Sequence, residues 1–249
     1  MSTNPSLTIV EPAIAGPSSA LQEIREGSGA PTWKAPAMDE AFAKEYLHND
    51  LREVREVMLW KLDGLSEYDV RRPLTSTGTN LLGLVKHLSN TEARYFGDIF
   101  GRPFPERLPW WDDDAEFDAD KWVTPDETRA EIVDRYRRAW AHADATIDAL
   151  SLDAPGHVPW WPRPNVKLFN VIIHVLTQTN RHAGHADILR EQIDGAVGSY
   201  PNTDAPHHVD SAFWAAHRAK IEEAALSTRH DPGDRASVRL GELGPDLQV

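Results

Sequence analysis

One helical stretch of this chain sets three histidines and an amide on a single stripe. It reads His174-Val-Leu-Thr-Gln178-Thr-Asn-Arg181-His182-Ala-Gly-His185. Steps of four, four and three residues return to the same face of a helix, so positions 174, 178, 182 and 185 line up. Polar rings among Ile, Val and Leu cost free energy unless something satisfies them. Neutral imidazole is also the commonest metal ligand in proteins. Side chains at i and i+4 lie about 5–6 Å apart, which suits two ligands on one ion. His174 and His182 are two turns apart, roughly 12 Å along the axis, and cannot share an ion. Gln178, His182 and His185 therefore form the ligand-spaced group. A partner from elsewhere is His87, which lies between Val85 and Leu88 on a second apolar stripe. Taken alone, His87 reads as a hydrogen-bonded core residue rather than a ligand.

These side chains need helices to position them, and the sequence predicts four long ones. The first follows Asp39 as N-cap and repeats Leu47, Leu51, Val54, Met58, Leu62 and Leu65 at spacings of three and four. A second starts at Thr79 or Asn80 and runs through Leu81, Leu84, Val85, Leu88, Phe96 and Ile99 to Gly101. For the third, Thr124 is the predicted cap, followed by Pro125 and the acidic pair Asp126 and Glu127. The fourth spans roughly 167–194 and closes at Gly195; a shorter fifth is expected around 212–225. No stretch alternates cleanly with period two over the length of a strand. The expected fold is all-α, a four-helix bundle with a short extra C-terminal helix. Its second and third helices are joined by about 23 residues containing Trp110, Trp111 and the acidic run 112–114. The link between the third and fourth contains Pro159, Trp160, Trp161 and Pro162. The bundle domain is expected over 38–228. Residues 1–37, rich in Pro, Gly, Ser and Ala, and residues 229–249 read as disordered extensions.

Bulk composition narrows the chemistry. The net charge of -13 repels a phosphate backbone or an anionic membrane, so neither nucleic acid nor membrane is an expected partner. No segment approaches the roughly 20 apolar residues of a membrane span. The start lacks a secretory signal, which points to the cytoplasm. There is no cysteine, which excludes disulfides, thiolate-ligated zinc and a protein thiol nucleophile. Thiol chemistry would need a thiol supplied as a small molecule.

Two segments carry a resemblance: Asn80–Phe100 (NLLGLVKHLSNTEARYFGDIF) and Ile173–Gly195 (IHVLTQTNRHAGHADILREQIDG). They resemble the DinB-like superfamily of metal-binding four-helix bundles, and more narrowly its actinobacterial branch of mycothiol-dependent transferases. The helix near Pro125 and the Phe213-Trp214 segment also fit, so the resemblance covers about residues 40–225. It implies a divalent ion, with zinc first and nickel or iron next, held by one ligand from the second helix and two at i and i+4 of the fourth. The matching positions are His87, Gln178 and His182.

At Gln178 the chain departs from the resemblance, since related sequences place Glu or His there. An amide oxygen is the weaker ligand, and either Gln178 or His185 completes the set. The implied activity joins a mycothiol-like thiol to an electrophilic small molecule. Arg181 and Arg94 are candidates to hold an anionic co-substrate, and the four loop tryptophans are candidates to roof the site. Two alternatives stay open: metal-assisted hydrolysis or isomerisation, and a catalytically silent bundle that binds or senses a ligand. A homodimer is compatible with such a bundle.

Overall fold

The structure is a computed structural model that describes residues 39–111, 115–200 and 210–228. The expected extensions 1–37 and 229–249, and the acidic run 112–114, lie outside the described residues. Four long helices dominate the described chain: α1 (Glu40–Trp60), α3 (Leu81–Tyr95), α4 (Arg129–Ala149) and α5 (Leu168–Asp194). A short α2 (Glu67–Arg71) precedes α3, and α6 (Ser211–Ser227) follows α5. The only sheet among the described residues is a hairpin of β1 (Pro155–His157) and β2 (Asn165–Lys167), antiparallel with Gly156 opposite Val166. The described residues are mostly helical, consistent with the all-α class expected.

The caps explain where the helices begin. Asn80 accepts from the Gly83 amide at 2.8 Å and starts α3. Helix α4 begins four residues later than its sequence signal suggested. Thr128, not Thr124, is the N-cap, and it forms a capping box with Glu131. The Thr124–Glu127 segment closes a separate turn: Glu127 accepts from the Thr124 amide at 2.9 Å and from Lys86 Nζ at 2.9 Å. A cap and a proline thus made a helix start legible one turn too early. Helix α3 stops at Tyr95 rather than Gly101, and a 3-10 turn over Asp98–Phe100 completes the run.

The long helices bury one continuous core, with Leu51, Met58, Val85, Leu88, Tyr136, Ile147, Val171 and Val175 all inaccessible. Helix α3 packs against α4 and α5, and α1 packs against both of those. A charged network runs through this apolar interior. Arg55 of α1 donates through Nε and Nη2 to both carboxylate oxygens of Glu92 on α3, at 3.0 and 2.5 Å. Its Nη1 reaches Asp144 of α4 at 2.7 Å, and Asp144 also meets His48 at 2.8 Å. Burial would raise the Asp144 carboxyl, but His48 and Arg55 outweigh it and hold it well below the usual carboxylate range. Burial pushes the Glu92 carboxyl upward while Arg55 pulls it back; both oxygens sit on one guanidinium, so the ion pair prevails.

One turn of chemistry therefore ties three helices together. Arg55→Ala would strand Glu92 in the core and should cost about 3–5 kcal/mol in urea unfolding. Replacing both partners with Met at 55 and Leu at 92 should recover most of that loss, because buried ion pairs roughly break even with packed apolar residues. Equal losses in the single and double variants would contradict this.

Candidate functional site

Helix α3 is buried at every position except His87 and Arg94. Those two are seven residues apart and so share one face, which looks toward α5. The helices run antiparallel there: His87 meets Gln178 and His182, while Tyr95, two turns on, meets His174. Gln178 Nε2 lies 3.0 Å from His87 Nε2, and the His87 and His182 rings are 5.1 Å apart, edge to face.

The other His87 nitrogen is already committed. Nδ1 lies 2.6 Å from Asp120 Oδ2, so Nδ1–H donates to the carboxylate, and in the neutral ring Nε2 then carries the lone pair facing α5. Asp120 is 33 residues from His87, in the link before α4, and no helical spacing could announce it. Its position is set by Gly83, one turn before His87. A Cβ on Gly83 would lie 1.9 Å from the Lys121 carbonyl oxygen, so only glycine lets the link lie against α3. Lys86 fastens the same link, donating to the Trp122 carbonyl at 2.8 Å and to Glu127.

Of the residues singled out from sequence, the structure brings His87, Gln178 and His182 together. His185 is exposed and touches His182, ring centroids 5.5 Å apart. Arg181 is exposed beside them. Arg94 stacks over Trp160 at 4.0 Å. His174 belongs to a separate aromatic group, 4.9 Å from Tyr95 and 4.7 Å from Trp161. Tyr95 Oη accepts from both indoles, at 3.3 Å from Trp160 and 3.0 Å from Trp161. The hairpin delivers these tryptophans because Gly156 packs directly on Phe100 and Ile99, just beyond α3. Trp110, by contrast, lies between Lys86 and Arg135, 4.4 and 4.6 Å from its ring.

Two atoms at this site are buried without a hydrogen-bond partner: Gln178 Oε1 and His182 Nδ1. Each such atom costs about 1–3 kcal/mol unless a further group satisfies it. Among the described residues, no three His, Asp or Glu side chains are arranged to hold a metal ion. Here the third corner is an amide. Turning the Gln178 carboxamide over, a soft terminal rotation, would present Oε1 in place of its NH2. The donors then offered are one imidazole nitrogen, one amide oxygen and a second imidazole, which suits a weakly held divalent ion.

Cationic groups act on His182, while the Asp120 carboxylate lies on the far side of His87. Burial, then His87, His185, Arg181 and Lys121, push His182 down to about 3. The folded protein thus keeps this imidazole neutral while the unfolded chain protonates near pH 6.5. Stability from this residue is complete above pH 6.5 and falls as pH drops from there toward 3. In chelator-treated protein, moving from pH 7.5 to 5.5 should cost about 1 kcal/mol through His182. Urea unfolding at the two pH values should show that loss shrinking in His182→Gln; an identical loss in the variant would contradict the assignment.

No curated protein matches this chain. A family model described as mycothiol-S-transferase matches residues 46–195, which run from within α1 to the end of α5 and contain every residue of the site. The chain belongs to the mycothiol S-transferase family.

Proposed function

We propose that this chain is a metal-dependent transferase that joins mycothiol, or a closely similar thiol, to an electrophilic small molecule in the cytoplasm. Its four long helices form a DinB-like bundle, and His87, Gln178 and His182 hold the ion, with zinc the best fit to two imidazoles and an oxygen. The observation that carries this reading is the pair of unsatisfied buried atoms, Gln178 Oε1 and His182 Nδ1, beside the lone pair of His87. The family match supports the thiol as co-substrate. When bound, a divalent ion supplies the positive charge that keeps a thiol sulfur deprotonated at neutral pH.

The protein's own groups do the rest. Arg181 and Lys121 add positive potential beside His182, which favours an anionic sulfur and disfavours its protonated form. Arg94, on the same face of α3 as His87, is positioned to meet anionic groups of a co-substrate. The Tyr95, Trp160, Trp161 and His174 rings offer an apolar wall for the electrophile about one helical turn from Gln178. In the transfer the thiol gives up its proton and the S–C bond forms. As it forms, an epoxide C–O bond opens and its oxygen takes up a proton; on an aryl halide the halide leaves the attacked carbon, and on a quinone the carbonyl oxygen takes up a proton. The absence of cysteine means that no protein thiol competes for the metal or the electrophile.

Gln178 favours a second reading, a ligand-binding bundle without turnover, because its amide already satisfies His87 Nε2. One pair of experiments separates the two. With zinc and mycothiol, the protein should form thioether conjugates from a panel of epoxides, quinones and aryl halides, and none when thiol is left out. Gln178→Glu should bind zinc about tenfold more tightly, roughly 1.4 kcal/mol, since carboxylate outperforms amide as a ligand. Silence across the panel in both proteins would favour the ligand-binding reading, and turnover without thiol would point to metal-assisted hydrolysis.

A further inference from the structure

We infer that Asp120 is the positioning residue of the metal centre: it holds His87 in the tautomer and orientation that make Nε2 the ligand. This rests on the reading of His87 as a ligand given above. The geometry is direct. Asp120 Oδ2 lies 2.6 Å from His87 Nδ1, and both side chains are about nine-tenths buried. A neutral imidazole carries its proton on one nitrogen only. A carboxylate at Nδ1 fixes that proton there, which leaves Nε2 as the basic atom and raises its strength as a donor to a metal.

The placement of Asp120 is built, not incidental. The link carrying it is pressed against α3 at Gly83, where any side chain would collide with the Lys121 carbonyl. Lys86 pins the next residues through the Trp122 carbonyl and Glu127, and its own position is steadied by the Trp110 ring. Gly83, Lys86 and His87 thus lie on one turn of α3 and act on one short segment, 120–127. The first two hold the segment, and the segment holds the third.

Zinc affinity, read by competition with a chromogenic chelator, tests the role, with the thermal midpoint of the metal-free protein measured beside it. Asp120→Asn should keep one zinc per chain with about 10–100-fold weaker affinity and little change in the metal-free midpoint. Gly83→Ala, which displaces Asp120 without removing its charge, should weaken zinc in the same direction. Long-range 1H–15N spectra of metal-free wild-type protein at neutral pH should show His87 protonated at Nδ1, a readout independent of how well any variant folds. His87 protonated at Nε2, or unaltered zinc affinity in Asp120→Asn, would overturn the role of Asp120 while leaving the metal centre standing. Wild-type protein that takes up no zinc would overturn both.

Discussion

Helix α3 packs against α4 and α5 with almost no surface of its own, yet it carries Lys86, His87 and Glu92. A buried charge or polar ring is tolerated only with partners that satisfy it. Each of the three therefore recruits a different part of the chain. Glu92 takes Arg55 from α1, Lys86 takes the segment before α4, and His87 takes Asp120 on one side and Gln178 of α5 on the other. Apolar packing would allow these helices to slide or turn, but these pairings do not. The same requirement that fixes the fold brings His87 against His182.

The chain's net charge is -13, yet two cationic side chains act on His182, while the Asp120 carboxylate lies on the far side of His87. Arg181 and Lys121 act on His182, and Arg94 shares the face of His87. Together with burial, Arg181 and Lys121 disfavour a bound proton on His182. The tryptophans divide between two tasks that looked alike in sequence. Trp160 and Trp161 converge on Tyr95 beside His174, whereas Trp110 is a platform between Lys86 and Arg135.

The long helices were legible because their apolar periodicity is strong, and the His/Gln stripe was legible because helical spacing reports which side chains share a face. His87 could be suspected but not paired, since spacing within one helix says nothing of the neighbour it meets; the resemblance supplied that pairing. Asp120 left no signal at all. It sits in an irregular link, and its contact depends on Gly83, whose meaning is visible only once the Lys121 carbonyl lies against it. The start of α4 was misplaced because Thr124-Pro125 is a genuine start signal that the chain spends on a turn, with Glu127 drawn to buried Lys86. The hairpin was missed because strands of three residues are too short to show a period of two.

The central claim is that one ion is held between α3 and α5, and elemental analysis of the purified protein beside His182→Ala tests it most directly. The account predicts about one divalent metal per chain in the parent protein and almost none in a folded His182→Ala variant. Metal absent from both, or retained undiminished in the variant, would contradict it.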